Sequence, residues 1–346
     1  MKIAIDAMGG DFAPLAPVKG ALLAREKNPD VEIVLVGREA AIRDALREAG
    51  KKELPEGVAI QNASEVVEMS DDPATAFKQK PDSSLTVGLN LLKNGEVDGF
   101  VSAGSTGALL AGATLVVKRV RGLRRAALAP VIPTATGHAV LIDCGANAEC
   151  TVEYLLQFAY LGSYYASKVL GVETPRVGLL NIGAEEEKGD ALRRETYQKL
   201  QEAHARGDLN FAGNVEAKEA ILGQCDVIVA DGFSGNVMLK TVEGAGKLMS
   251  GMLKGMLLKS LGTKLAAVLL KGELGAFKRS LDANEVGGTA LLGISKPVIK
   301  AHGSANETGF CNAVRQAAEV ARSGIAEDIA RDIDKMRLDR REPASL

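Results

Sequence analysis

The sequence predicts an α/β protein of three layers, with helices on both faces of a mostly parallel sheet. Two observations point that way. Short apolar runs alternate with longer segments whose apolar residues recur at helical spacing, the mark of βαβ units. Most of the runs end in turns rich in Gly, Ser, Asn and Asp, where such units pass from strand to helix.

In chain order, Lys2–Ile5 reads as a strand ended by the turn Asp6-Ala7-Met8-Gly9-Gly10-Asp11, and Val18–Lys27 as a helix. Glu32–Val36 is the next strand, closed by Gly37. Glu39–Ala49 is a helix with Ile42 and Leu46 one turn apart. Val58–Gln61 is a short strand and Ser83–Lys93 a helix. Gly99–Ser102 is a strand that opens into a Gly-rich loop, followed by a helix over Ala108–Val117. Ala139–Ile142, Arg176–Leu180 and Val227–Val229 are strands; Val152–Val169 and Asp190–Arg206 are helices. Asp231–Asn236 reads as a Gly-rich turn. Ala313–Ala321 begins a last helical region, and the charged C-terminal tail reads as frayed.

Composition bounds the function. With 346 residues, 46% hydrophobic and 25% charged, the chain can bury a large core, as one domain over 1–346 or as two lobes with no visible boundary. A formal net charge of −2 argues against a nucleic-acid binder. Cys144, Cys150, Cys225 and Cys311 form no CxxC pair, so neither a zinc site nor a disulfide framework is expected, and they read as small buried residues of a reducing compartment. Met1–Asp6 does not resemble a signal peptide, and no window offers the ~18–20 apolar residues of a membrane span. A cytoplasmic protein is expected.

Four loops carry the chemistry: Ser102-Ala103-Gly104-Ser105-Thr106-Gly107, Asp143-Cys144-Gly145-Ala146-Asn147, Asn181-Ile182-Gly183 continuing to Lys188-Gly189, and Asp231-Gly232-Phe233-Ser234-Gly235-Asn236. Glycines let backbone N–H groups point inward, and helix N-termini favour anions. Any one of these loops also reads as a plain capped turn. Four on one sheet edge predict a phosphate or polyanion site. None is GxGxxG or GxxxxGK[ST], so nucleotide binding loses its main support. Lys188, among Glu185, Glu186 and Glu187, reads either as a phosphate-binding cation or as part of a solvated charge cluster. His302, after Pro297–Lys300, reads either as a substrate contact or as a capping residue. His138 and His204 read as structural. No GxSxG serine and no Cys–His pairing suggests a covalent acyl-enzyme.

Two further stretches stand out. From Lys247 to about Arg279, Met249, Met252, Leu253, Met256, Leu257 and Leu261 recur at helical spacing. Leu265, Val268 and Leu269 continue the pattern, and lysines 254, 259, 264, 271 and 278 interleave. This is the pattern of an interfacial helical hairpin, an amphipathic insertion over 247–280, and equally of a face packed on the core or on a dimer partner. Lys118, Arg119, Arg121, Arg124 and Arg125 form a basic run, either a solvated helix end or a steering patch for an acidic carrier protein.

Taken together, Asp6–Asp11, the four loops with their Glu185-Glu186 and Lys188-Gly189, and Ala301-His302-Gly303 resemble the acyl-carrier-protein:phosphate acyltransferase family, PlsX. The resemblance spans nearly the whole chain in the same order. Arg124-Arg125-Ala126 departs from it where the family tends to show Arg-Pro-Ala. The resemblance implies a fold like that of isocitrate and isopropylmalate dehydrogenases and of phosphotransacetylase. It implies a homodimer, peripheral membrane association through the hairpin, and no metal or nucleotide. It also implies transfer of a long-chain fatty acyl group from acyl carrier protein to inorganic phosphate, which feeds a glycerol-3-phosphate acyltransferase in phosphatidic acid synthesis.

On that chemistry, Lys188, Ser105, Thr106 and the amides of Gly104, Gly107 and Gly183, with Ser234, are expected to hold phosphate. Asn147, Asn181 or His302 is expected to donate to the oxyanion or contact the carbonyl, and Asp143 to orient Asn147 or Lys188. Met252, Leu253, Met256, Leu257 and Leu261 are expected to meet membrane or acyl chain. The readings left open are a phosphotransacetylase acting on acyl-coenzyme A, a metal-dependent decarboxylating dehydrogenase, and a non-catalytic scaffold.

Overall fold

A computed structural model describes residues 1–280 and 282–338, so the C-terminal tail lies outside the described residues. Twelve strands run along the described chain: β1 (Lys2–Asp6), β2 (Glu32–Gly37), β3 (Val58–Asn62), β4 (Gly99–Ser102), β5 (Ala127–Ala129), β6 (Val131–Thr134), β7 (Gly137–Ile142), β8 (Arg176–Leu180), β9 (Asn210–Val215), β10 (Val227–Val229), β11 (Gly288–Leu292) and β12 (Val298–Ala301). They form two sheets, where a single sheet edge was expected. The first has seven strands in the order β3-β2-β1-β4-β12-β11-β5, and the second five in the order β6-β7-β10-β8-β9. Only Pro130 separates β5 from β6, so the chain leaves the first sheet there, builds the second, and returns at β11.

Both sheets are mainly parallel, as the βαβ pattern requires. The antiparallel pairs lie at the join: β12 with β11, β11 with β5, and β6 with β7. Residues on each parallel strand alternate between two cores. Ile3 and Ile5 pack in one cluster with Val18, Ala21, Phe310 and Val314, whereas Ala4 packs in the other with Leu85, Leu89 and Phe100. In the second sheet Val140 and Ile142 meet Leu155 and Phe158 of the helix Val152–Lys168, while Leu141 turns to the other face with Ile228 and Met238. A period of two with both faces covered makes each sheet the middle of three layers.

The helices differ from expectation in four places, one of them the last helical region, which starts at Glu307 rather than Ala313. The first helix starts at Leu15 rather than Val18. Thr106–Gly112 is α-helical, but Ala113–Val117 forms a π-turn rather than continuing it. The supposed turn Asp231–Asn236 is the start of a helix over Gly232–Leu257, capped by the Asp231 side chain on the Ser234 N–H. The expected hairpin is therefore the far end of this 26-residue helix followed by Leu261–Leu269 and Lys271–Ser280. Leu261–Leu269 buries none of its residues, and Leu248, Met249, Met252, Met256, Leu261, Leu265, Val268 and Leu269 are all exposed. Among the described residues no helix is long and apolar enough to cross a membrane.

Candidate active site

Three loops meet at the C-terminal edge of the first sheet. β1, β4 and β12 are adjacent and parallel, so residues 6–11, 102–107 and 301–304 emerge side by side. Gly10 has φ +101°, and a Cβ there would lie 2.9 Å from that of Ala103 and 3.1 Å from the Gly303 carbonyl oxygen, so the contact needs glycine. The Asp11 N–H donates to the Gly303 carbonyl at 2.8 Å. Below lies Asp6, buried, its carboxylate receiving Ser102 Oγ at 2.7 Å and the Met8 N–H at 3.0 Å. Burial pushes its pKa up, while hydrogen bonds from Ser84 and Ser102 oppose the shift. Gly104 donates its N–H to Ser102 Oγ, and Ser105 Oγ caps the next helix at the Ala108 N–H. Thr106 and Gly107 are exposed beyond it.

The second sheet gathers the other three loops. Asp143 is buried, and its carboxylate accepts N–H groups from Leu128, Cys144 and Asn147 together with Asn147 Nδ2 at 3.0 Å. Burial raises its pKa against these bonds. It does position Asn147, but Asn147 Nδ2 gives its other hydrogen to the Ala126 carbonyl at 2.9 Å. Both amide hydrogens are thus committed, which leaves none for a thioester oxygen in this arrangement. The Gly232 N–H donates to the Asn147 carbonyl at 2.8 Å, locking the Asp143 loop to the long helix. Ser234 Oγ donates to Asp231 and accepts from Arg193, which also pairs with Asp190 and Asp231. Asn181 Oδ1 accepts the Ile182 N–H and its Nδ2 donates to the Lys188 carbonyl at 3.1 Å. Gly183 is buried against Lys188, whose side chain is exposed.

Two cavities flank the helix Gly232–Leu257. The first, about 320 Å³, lies between the sheets and is lined by Thr106, Cys144, Asn236, Lys240, Glu243, Lys300 and His302 over an apolar floor of Leu128, Ile132 and Leu239. The second, about 1320 Å³, is a mainly apolar groove lined by Leu180, Ile182, Phe233, Val237, Met238 and Met249, with Asn181, Arg193 and Ser234 at its polar side. The helix presents Asn236, Leu239, Lys240 and Glu243 to the cleft and Phe233, Val237, Thr241 and Ala245 to the groove, the separation a 3.6-residue period gives. Pro133, Val242 and Gly246 border both cavities.

Of the expected residues, Thr106 and His302 reach the cleft, and Asn181 and Ser234 the groove; Lys188 lines neither. The Ser304 N–H donates to His302 Nδ1 at 3.2 Å, which leaves the neutral ring's hydrogen on Nε2. Desolvation lowers the His302 pKa, with Lys240, Lys300 and Lys247 adding to the effect and Glu243 opposing it. Cys144 is a poor nucleophile here, because burial, with Asp143 nearby, pushes its thiol up to about 12. Sequence reasoning missed Lys240, Lys300, Asn236 and Arg193. One signal was legible: Lys300 is a charged residue closing the otherwise apolar run Pro297–Ile299, just before His302.

Two mainly parallel α/β sheets with a polar cleft between them form a fold shared with solved phosphotransacetylases. A phosphotransacetylase from Streptococcus pyogenes superposes with TM-score 0.61 at 20% identity, covering 93% of this chain and 94% of that one. A 4-hydroxythreonine-4-phosphate dehydrogenase from Burkholderia phymatum gives TM-score 0.50 at 16% identity, covering 92% and 98%. These likenesses speak for the fold alone.

The sequence places the chain more narrowly. The family model described as fatty acid synthesis protein matches residues 1–328. A phosphate acyltransferase from Caldanaerobacter subterraneus subsp. tengcongensis is 44% identical over 334 residues, 96% of this chain and 98% of that protein. The chain belongs to this family of acyltransferases.

Proposed function

We propose that the chain moves a long-chain fatty acyl group from the thioester of an acyl carrier protein to inorganic phosphate, and that the resulting acyl phosphate supplies phospholipid synthesis. The observation that carries this reading is the shared wall: one helix, Gly232–Leu257, separates a polar cleft that holds Lys240, Lys300 and His302 from a mainly apolar groove. Phosphate fits the first and an acyl chain the second, and full-length likeness to phosphate acyltransferases supports the pairing.

The chemistry asks little of the protein. A phosphate oxygen attacks the thioester carbon, a tetrahedral oxyanion forms, the C–S bond breaks and the thiolate leaves, to be protonated by solvent. Thiols have pKa values near ~8.5, so the leaving group needs little assistance. The site must strip water from phosphate, hold it ~3–3.5 Å from the carbon and stabilise the oxyanion. Thr106, with its hydroxyl at a helix N-terminus, meets phosphate. His302 Nε2–H is the donor for the oxyanion. Lys188, exposed beside groove residues Asn181 and Gly189, meets the charged part of the acyl donor at the groove's rim.

The same proposal extends to partners. Arg119, Arg121, Arg124 and Arg125 lie in the loop before β5 rather than on a helix end; Arg124 pairs with Glu153 and Arg125 stacks 5.6 Å from the Tyr154 ring centroid. An acidic carrier protein docks there. The exposed apolar residues of 248–269, interleaved with lysines, rest on a membrane surface or a second copy of the chain, and a glycerol-3-phosphate acyltransferase takes the product.

Incubation with long-chain acyl carrier protein tests the reading. Free carrier thiol should appear only when phosphate is present, and acetyl-coenzyme A should be a poor replacement. Thiol release that ignores phosphate, or none at all, rejects it.

A further inference from the structure

We infer that Lys300, on β12, is the cation that receives phosphate in the cleft, an assignment that rests on the acyl-transfer reading only for the steps after phosphate binding. β12 pairs with β4 so that Lys300 stands opposite Ser102, at the strand ends from which the 102–107 and 301–304 loops emerge. Its side chain lines the same cavity as Thr106, Lys240 and His302. Among the described residues the ammonium has two hydrogen-bond acceptors, the carbonyls of Ala103 at 3.3 Å and Ala301 at 2.5 Å. An ammonium has three N–H donors, so one remains for a ligand.

The ion pairing around Lys300 also leaves room for an anion. A desolvated ammonium is costly unless matched. The carboxylates of Asp6 and Asp11 act on Lys300 from the β1 loop, and Lys240 opposes them from the long helix. Asp6 is already engaged by Ser102 and Met8. Lys240 is paired with Glu243 at 2.9 Å. The cavity wall around Lys300 carries Lys240, Glu243, Asp282 and His302; Lys240 is taken by Glu243, and among the described residues no carboxylate forms an ion pair with the Lys300 ammonium, so its third N–H is open to a phosphate oxygen.

Burial pushes the Lys300 ammonium down to about 8, with Asp6 and Asp11 holding it up and Lys240 adding to the fall. In the free enzyme, Lys300 therefore loses its charge as pH rises through about 8. The kcat/KM for phosphate, which reports the free enzyme, should fall along that limb. A bound dianion would hold the proton on, so kcat should fall less.

Calorimetric titration of inorganic phosphate into wild type, Lys300→Met and Lys300→Arg, together with initial rates against phosphate and acyl carrier protein, tests this. Lys300→Met should weaken phosphate binding and raise its KM by at least tenfold, with the KM for the acyl donor unchanged and the alkaline limb gone. Lys300→Arg should recover part of the binding and carry no limb near pH 8. Wild-type phosphate affinity in a folded Lys300→Met overturns the inference. So does a variant that loses thermal stability and raises both KM values alike, since that marks a tether between β12 and the 102–107 loop. Should Lys300→Met fail to fold, Lys300→Arg decides: an unmoved alkaline limb overturns the inference. A wild type that binds phosphate but transfers no acyl group rejects the acyl-transfer reading and leaves Lys300 standing.

Discussion

Asp143 shows how far a single residue can be read from a sequence. Its place at a strand end beside Gly and Asn suggested a polar site, and it does hold Asn147. Its bonds from the Cys144 and Ala146 N–H groups are local to the loop, but the one from Leu128 belongs to the join between the sheets, a tertiary fact with no local signal. Gly235 is the matching constraint: a Cβ there would lie 2.0 Å from the Asp143 carbonyl oxygen. Gly235→Ala should therefore cost about 1–3 kcal/mol by urea unfolding, the usual range for overpacking against a fixed neighbour. Lys188→Ala should raise the KM for the acyl donor several-fold with kcat little changed, the pattern of losing a contact made equally in the ground and transition states. Near-normal kinetics would show that the amine beside Asn181 meets neither reactant. Lys300 escaped notice because a lysine at a strand end reads as a solvated terminus; only pairing with β4 turns it into a cleft residue.

At the scale of elements, long amphipathic helices and apolar parallel strands were legible because both faces of each sheet are covered. β5 and β6 were missed because they are three and four residues long and touch at Pro130. β9 was missed because Gly213, at φ +95°, and the register shift opposite Val177 and Gly178 break its period. The helix Gly232–Leu257 was cut in two by reading its Gly-rich first turn as a loop; Asp231 capping the Ser234 N–H is what starts it. Its two faces make separable predictions. Val237→Trp, on the groove side, should shift preference to shorter acyl chains with the phosphate KM unchanged, measured by competition between carriers of different chain length. Leu261→Glu, Leu265→Glu and Leu269→Glu together should weaken sedimentation with anionic vesicles by well over tenfold. Burying a leucine is worth about 1.5–3 kcal/mol and each 1.4 kcal/mol is tenfold in affinity. Unchanged sedimentation would assign that face to a protein partner.

For the whole molecule, the α/β class was legible and the division into two sheets was not, since nothing in local periodicity tells which strands pair. The polar segments singled out in the sequence fall into two groups of three, 6–11 with 102–107 and 301–304, and 143–147 with 181–189 and 231–236, the last of them a helix start rather than a loop. The long helix carries the second group to the cleft of the first through Asn236 and Lys240. On the proposed function, catalysis takes place between the two sheets, with the acyl chain and phosphate on either side of one helix. A crystal structure with inorganic phosphate and a non-hydrolysable acyl-pantetheine thioether tests this most directly. Phosphate should bind against Lys300, Thr106 and His302, with the chain lying along Val237 and Met249. Phosphate seated at Lys188 outside the cleft, or a chain that avoids the groove, would contradict it.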